Sequence, residues 1–117
     1  MLAHRRGKEG EDRAAQALEE AGMLVVARNY RWRAGEIDII ALDGETLVFV
    51  EVKACSRLGI ESLERSVGAR KQGRIIETAK YFLSTHRQYE RRAIRFDVVF
   101  VEKKAVTHLA SAFMETV

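Results

Sequence analysis

Three charged residues on two neighbouring apolar segments have the types and spacing that phosphodiester cleavage requires. Asp38 lies in IDIIAL, and Glu51 and Lys53 lie in TLVFVEVK. Cleavage needs a nucleophilic water, a cation to offset charge growing on the phosphoryl oxygens, and stabilisation of the leaving oxygen. Two carboxylates suit a divalent cation, and Lys53 suits a role in orienting the water or neutralising the transition state. The pattern therefore predicts a metal-assisted hydrolysis site.

The two segments that carry these residues are predicted to be strands of one hairpin. Asp43-Gly44 lies between them, and Asp-Gly readily takes the positive φ angles of a tight turn. A loop centred there predicts three facing pairs: Ile40 with Leu47, Asp38 with Phe49, and Glu36 with Glu51. Asp38 and Glu51 are then diagonal neighbours about 7 to 8 Å apart at their backbones, a separation at which two carboxylates can reach one cation.

Alternation of side chains decides which residues share the site face. It places Glu51 and Lys53 on one face, with Glu36 and Asp38 beside them. The opposite face is predicted to be core: Ile37, Ile39, Ala41, Val48, Val50 and Val52. Oxygen ligands without a neighbouring Cys or His pair favour Mg²⁺ or Mn²⁺. Two alternatives are open, since Glu36 fits a second ligand or a rim acid, and Lys53 also fits an internal ion pair with Glu51 or Asp38.

The remaining elements are predicted from hydrophobic spacing and turn residues. They are a helix over about 10–22 that ends at Gly22, a strand over 23–29, strands over 37–42 and 46–53, a helix with a stripe from Val67 to Leu83, a strand over 94–102, and a weaker final strand or packed tail over 105–113. The glycines near the start of the second helix indicate a loose or late beginning. The order α-β-β-β-α-β predicts an α/β fold, a mixed sheet with helices covering its faces.

Two charged residues on the helices are further candidates for the site. Glu11 lies on the same stripe as Ala15 and Leu18 and is expected to face the sheet, in the site or in a first-turn role favoured by the helix dipole. Lys71 interrupts the apolar stripe of the second helix, which fits either an inward contact to a phosphate or a snorkelling side chain.

A basic and aromatic run precedes the site strand. Arg28, Arg31 and Arg33 alternate with Tyr30 and Trp32, a pattern that fits either a grip on a nucleic-acid backbone with bases stacked on the rings, or a surface loop whose rings fold into the core. The three histidines, His4, His86 and His108, show no metal spacing and are predicted to be surface residues.

Longer stretches of the chain carry a family resemblance. GEDRAAQAL, RNYRWRAGEIDIIA, VFVEVK and RFDVV resemble the YraN-like family of small bacterial proteins, related to archaeal Holliday-junction resolvases in the PD-(D/E)xK nuclease superfamily. The resemblance implies a restriction-endonuclease-like fold and a site made of Asp38, Glu51, Lys53 and Glu11. Such families often have an arginine two places after the lysine, where this chain has Cys55, so Arg57 is the substitute candidate for a phosphate contact.

The activity that the resemblance implies is a metal-dependent endonuclease on DNA, including branched or Holliday-junction DNA, in repair and recombination. Superfamily members that have lost cleavage imply the alternative, a non-cleaving nucleic-acid-binding or complex-forming module. Related resolvases work as dimers, so a homodimer is expected.

Bulk properties agree with one small domain spanning residues 1–117. The length is too short for two separate cores, and 47% hydrophobic with 32% charged residues supports a packed interior. The lone Cys55 cannot form an internal disulfide, and no apolar stretch is long enough to cross a membrane, so a cytoplasmic protein without a membrane partner is expected. The net charge of +3 is compatible with a polyanionic partner without identifying one.

Overall fold

The described part of the chain contains two long helices, one before three consecutive strands and one between the third and fourth of five strands. The computed structural model describes residues 2–33, 35–54 and 67–115, with side chains from residue 7 onward. The elements are α1 (Leu2–Glu20), β1 (Leu24–Trp32), β2 (Gly35–Asp43), β3 (Thr46–Ala54), α2 (Ala69–Thr85), a short 3-10 helix (Arg87–Tyr89), β4 (Ile94–Val101) and β5 (Val106–Phe113).

The five strands form one mixed sheet in the order β1-β2-β3-β4-β5. β3 and β4 are parallel, and the other three neighbouring pairs are antiparallel. A parallel pair needs a crossover connection, and α2 lies in the chain between β3 and β4. The predicted α/β class and α-β-β-β-α-β order are confirmed, and the segment predicted as a strand or a tail is the strand β5.

Among the described residues, α1 packs on one face of the sheet and α2 on the other. Ala14 and Leu18 of α1 pack against a layer that contains Ile39 and Val50. Phe82 belongs to the α2 layer, together with buried residues of the three central strands β2, β3 and β4: Ile37, Ile40, Leu47, Phe49, Val98 and Phe100. β3 lies at the centre of the sheet and contributes side chains to both layers, so a charged residue at its end is drawn into the interior.

The helix boundaries follow from local features. Gly22 takes φ 93 just after α1, which is the left-handed stop expected there. α1 begins at Leu2, earlier than the predicted start near Gly10. α2 begins at Ala69, after Gly68, which agrees with the late beginning predicted from its glycines. Neither helix, over the residues described, has the length and apolarity to span a membrane.

The register of the β2–β3 hairpin differs from the predicted one. The loop residues are Gly44 and Glu45, not Asp43 and Gly44, because Gly44 takes φ 60 at the first loop position. Glycine at that position suits a type II′ turn, whose second residue needs no positive φ. Every predicted pair is therefore shifted, and the observed pairs are Ile40 with Phe49, Ala41 with Val48, and Leu42 with Leu47.

Candidate metal and nucleic-acid site

Asp38 and Glu51 come together where β2 and β3 separate. The last facing pair of the two strands is Ile39 with Val50, and Asp38 and Glu51 are the next residues beyond it. Oδ2 of Asp38 accepts the backbone N–H of Val52 at 2.7 Å, so the side chain takes the place of a strand carbonyl. The Asp38 carboxyl also lies within hydrogen-bonding reach of Glu51. The predicted diagonal pair is thus a direct contact at the open end of the hairpin.

Asp38 reaches this position because side-chain alternation is interrupted there. Ile37 packs in the α2 layer and Ile39 packs in the α1 layer, although both were predicted to share one face. On β1, Asn29 lies across from this point between the pairs Arg28–Ile39 and Tyr30–Ile37, and it takes φ 55. This irregularity leaves the Asp38 side chain pointing along the sheet toward β3. Asp38 therefore borders two clefts, one on each face of the sheet.

The environment of Asp38 favours its protonated form. Burial and the negative charge of Glu51 raise the pKa of Asp38 to about 8, against the opposing effect of the Val52 N–H. At neutral pH the Asp38 carboxyl therefore stays mostly protonated. A divalent cation can replace that proton, because two hard oxygen donors that repel each other are a suitable partial ligand set for Mg²⁺ or Mn²⁺. The donor set fits such an ion.

Two lysines border the same cleft, which has a volume of about 450 Å³. Nζ of Lys71, from the first turns of α2, lies 2.5 Å from Oε2 of Glu51. Lys53 lines the cleft, and among the described residues it forms no ion pair with Glu51 or Asp38. The internal ion pair considered from the sequence does exist at Glu51, but its cation comes from the helix instead of from Lys53.

Glu11 faces the sheet as predicted, but it is held by residues of β1. Its Oε1 accepts bonds from Arg28 Nε and Asn29 Nδ2, both at 2.9 Å, and its residue exposure is 9%. Arg28 also binds Oδ1 of Asp12 at 2.5 Å. Glu11 and Asp38 border a shared cleft of about 760 Å³ on the α1 side. Arg28 is therefore engaged within the protein and is poorly placed as the phosphate ligand that the sequence suggested.

Glu36 lies at the rim of the site. Its Oε2 is 2.7 Å from Nε of Arg31, and the Arg31 side chain is 75% exposed. Its negative charge contributes to raising the pKa of Asp38, after burial and Glu51. In the part of the chain that the structure describes, no three His, Cys, Asp or Glu side chains are grouped closely enough to hold one metal ion. This arrangement favours the rim position over a second ligand for Glu36.

A basic cleft of about 420 Å³ adjoins the site along α2. Arg33, Arg70 and Arg74 line it, and Arg74 also lines the cleft that contains Asp38 and Glu51. Within residues 2–33, 35–54 and 67–115 these three arginines form no ion pair, unlike Arg28 and Arg31. The sequence reasoning missed Arg70 and Arg74, although their spacing of four places them on one helix face next to Lys71.

Gly35 explains why the two clefts adjoin. A Cβ atom there would lie 2.0 Å from Oγ1 of Thr78 and 3.0 Å from the carbonyl oxygen of Arg74. Only a residue without a side chain lets the start of β2 lie this close to α2. The close approach brings Arg74 beside the rim of the Asp38 site, so one helix borders both clefts.

The two aromatic residues of the basic run differ in their surroundings. Tyr30 packs edge-on against Phe82, with ring centroids 5.1 Å apart, so it belongs to the core. Trp32 stacks on Tyr81 at 4.6 Å, and the Arg33 guanidinium lies 4.7 Å from its ring centroid. The alternative of rings folded into the core thus holds for Tyr30, whereas Trp32 and Arg33 form a stack at the edge of the basic cleft.

A second buried carboxyl lies on β4, away from these clefts. Asp97 is fully buried and accepts bonds from Arg95 Nε at 2.9 Å, His108 Nε2 at 2.7 Å and the Ser111 N–H at 3.0 Å. Burial alone raises the pKa of Asp97, but the bonds from His108, Arg95 and Ser111 outweigh it and hold that pKa below its ordinary value. This network joins β4 to β5.

The histidines were predicted to be surface residues, and two of them make specific contacts instead. His108 binds the buried Asp97, and His86 stacks on Phe82 with ring centroids 3.8 Å apart. The His4 side chain, Cys55 and Arg57 lie outside what the structure describes. Phosphate contact by Arg57 accordingly stays a prediction.

Comparison with known proteins identifies the family to which this chain belongs. The family described as "Uncharacterised protein family UPF0102" matches residues 10–101. The chain belongs to the UPF0102 family. The matched range includes Glu11, Asp38, Glu51, Lys53 and Lys71, so every residue of the proposed carboxylate site lies within the part that is typical of UPF0102.

UPF0102 relatives match along most of their length. The UPF0102 protein of Treponema denticola is 41% identical over 121 residues, covering 92% of this chain and 93% of the relative. The one from Persephonella marina is 38% identical, covering 97% of each chain. The one from Syntrophus aciditrophicus is 50% identical over 102 residues, covering 86% and 78%. The relatives are thus of similar size, so the helices and strands described here account for most of a UPF0102 protein.

Proposed function

We propose that this UPF0102 protein is a metal-dependent endonuclease that hydrolyses phosphodiester bonds in DNA. The observation that carries the proposal is the contact between the Asp38 and Glu51 carboxyls at the end of a hairpin, inside a cleft that Lys53 also lines. Two buried acids in contact are costly to keep close together, and titratable groups with perturbed pKa values, such as Asp38, cluster at functional sites.

Each residue of the cleft has a separate part in this proposal. Asp38 and Glu51 would hold Mg²⁺ or Mn²⁺, which when bound supplies charge stabilisation for the phosphoryl oxygens and acidifies a water. Lys53 lies on the cleft wall with its ammonium free of ion pairs among the described residues, so it can face a phosphate oxygen. Glu36 and Arg31 limit the cleft at its rim.

DNA is the proposed substrate because the cleft continues into basic surface. Arg33, Arg70 and Arg74 lack ion-pair partners in the described residues and line the adjoining cleft. Arginine side chains bind phosphates through several donors at once. The stack of Trp32 and Arg33 adds a flat edge against which an unpaired base can pack. Branched DNA, including four-way junctions, joins unpaired and paired segments, and the resemblance to resolvases favours it.

The test is a cleavage assay on labelled linear, flapped and four-way DNA with Mg²⁺ or Mn²⁺. We expect cleavage by the wild type that is lost on addition of EDTA. Glu51→Gln is expected to lower the rate at least about 100-fold, the scale of losing a main transition-state contact. Glu45→Gln is the matched control, because this substitution makes the same chemical change at a residue in the exposed β2–β3 loop, outside the cleft. Equal activity in both variants would contradict the proposal.

A second candidate is a nucleic-acid-binding module that does not cleave. It is favoured by the internal neutralisation of the acids, since Lys71 pairs with Glu51 and Arg28 pairs with Glu11. For this function we expect four-way DNA to bind equally with and without Mg²⁺, and no cleavage on any substrate. Binding of Mn²⁺ that is lost in Asp38→Ala, with folding intact, distinguishes the endonuclease from this module.

A further inference from the structure

The ion pair between Lys71 and Glu51 joins different elements inside the cleft. Glu51 comes from the central strand β3 and its side chain is 6% exposed, whereas Lys71 comes from α2 and its side chain is 36% exposed. A carboxylate so buried needs a partner, because leaving it charged and unpaired is strongly unfavourable. Lys71 is that partner, and it reaches Glu51 from the more solvent-exposed side of the cleft.

The position of the Lys71 ammonium conflicts with a metal ion. Its Nζ lies 2.5 Å from Oε2 of Glu51, and a divalent ion held by Glu51 and Asp38 needs oxygen ligands at about 2.0 to 2.1 Å for Mg²⁺. Two cations so close to one oxygen repel strongly where water is scarce. The ammonium and the metal therefore compete for the same carboxylate.

We propose that Lys71 is a built-in counterion of the metal-free protein, which the divalent ion displaces from Glu51. This inference rests on the proposed metal site. Before metal arrives, the ion pair with Lys71 holds the Glu51 carboxylate in place at the cleft, which makes Lys71 a positioning residue for the ligand. On displacement, its partly exposed side chain turns within a cleft that Lys53 and Arg74 also line, where it adds positive charge for a phosphate.

Competition between the Lys71 ammonium and the metal ion changes metal affinity in a direction that a purely structural role for Lys71 does not predict. Removing Lys71 takes away the ion that metal must displace, so metal affinity rises even as the metal-free protein loses stability. Removing Lys53 takes the same charge from the same cleft but leaves the Glu51 partner in place. The two lysines thus form a matched pair of substitutions.

The experiment is calorimetric titration of Mn²⁺ alone into the wild type, Lys71→Met and Lys53→Met. Methionine keeps an unbranched apolar side chain and removes the charge. We expect Lys71→Met to bind Mn²⁺ about tenfold more tightly than the wild type, a change that corresponds to about 1.4 kcal/mol. We also expect Mn²⁺ to raise the melting temperature of Lys71→Met by more than that of the wild type. Lys53→Met should give a clearly smaller increase in affinity.

If Lys71→Met does not fold, the same proposal can be tested by NMR spectroscopy of the wild type. The ammonium signal of Lys71 in ¹H–¹⁵N spectra should be protected from exchange without metal and should lose that protection when Mg²⁺ is added. Assignment can be made with Lys71→Arg, which lacks the signal but keeps a cation at Glu51.

Two results would overturn the counterion role. One is Mn²⁺ binding to Lys71→Met that is unchanged or weaker, and the other is an equal gain in Lys53→Met, which would indicate long-range charge instead of displacement. If Mn²⁺ binds the wild type but neither Glu51→Gln nor Asp38→Ala weakens it, the proposed metal site itself is wrong. Failure of the site and failure of the counterion are therefore distinguishable.

Discussion

The Asp38 carboxyl accepts the backbone N–H of Val52 at 2.7 Å, across the point where β2 and β3 separate. One oxygen thus has a structural role in closing the hairpin, while the same carboxyl lies in hydrogen-bonding contact with Glu51. A protonated acid can serve both partners, because its carbonyl oxygen accepts and its hydroxyl donates. An asparagine can do the same without ever becoming an anion.

Asp38→Asn and Asp38→Ala should therefore separate folding from metal binding. Asn keeps an acceptor for Val52 and a donor for Glu51, so its free energy of unfolding should be close to that of the wild type at about pH 3.5, where Asp38 is mostly protonated in both the folded and the unfolded state. Ala leaves a Val52 N–H without its partner, which costs about 1 to 3 kcal/mol. Urea denaturation measures the difference. Both variants should lose Mn²⁺ binding, and equal stability of the two would contradict the role assigned to the N–H bond.

The metal-free protein should become less stable as pH rises from about 4 to about 8. The pKa of folded Asp38 is about 8, above the ordinary value of 3.8. The folded state therefore holds this proton more tightly than the unfolded state does, and the stabilisation is lost as pH rises through 8. The slope from this group approaches about 1.4 kcal/mol per pH unit between the two values. Denaturation series of the wild type and Asp38→Asn measure it, because the variant lacks this contribution.

The Asp97 network should give the opposite pH dependence. The pKa of folded Asp97 lies below its ordinary value, so its stabilisation is present above that value and is lost as acid protonates the folded form. At pH 7, Asp97→Asn should lose about 3 kcal/mol, the scale of breaking a buried ion pair with Arg95. The loss should shrink as pH falls below the ordinary aspartate pKa of 3.8. Thermal unfolding at several pH values checks this, and a loss independent of pH would show that the charge is unimportant.

The basic cleft should control how DNA affinity depends on salt. If Arg70 and Arg74 each neutralise one phosphate, Arg70→Gln and Arg74→Gln should each weaken binding across DNA sequences and reduce the salt slope by about 1. Arg91→Gln is a matched control, since Arg91 is exposed beyond the far end of α2. Fluorescence anisotropy over a range of KCl concentrations measures the slopes. Unchanged slopes for both cleft variants would place the DNA elsewhere.

Local patterns predicted the elements well because short-range rules govern them. The stop at Gly22, the hairpin at Gly44 and the apolar spacing of α2 are all visible in a few residues. The register of the β2–β3 hairpin was harder to predict from the sequence. Asp43-Gly44 and Gly44-Glu45 both provide a glycine for a tight turn, and the two registers differ by two residues, so they place the same side chains on each face and the alternation of apolar residues does not distinguish them.

The contacts within the site depend on which residues of different strands and helices meet, and the hydrophobic periodicity of the sequence does not predict this. Asp38 was correctly grouped with Glu51, but its turn into the plane of the sheet depends on Asn29, whose φ of 55 breaks the regular strand next to it. Lys71 could be recognised as an interruption of an apolar stripe, yet its partner lies on another element. Arg70 and Arg74 become informative only once Gly35 brings α2 next to β2.

The parallel pairing of β3 with β4 also orders the events of folding. β2 and β3 are joined by a two-residue loop, so Asp38 and Glu51 can meet as soon as that local hairpin forms. Lys71 belongs to the crossover that must close before β4 can pair, a slower step with a larger loss of chain entropy. Before that crossover closes, we expect the two acids to face each other without Lys71, and the proposed metal site predicts that dissolved Mg²⁺ accelerates folding by binding them at that stage.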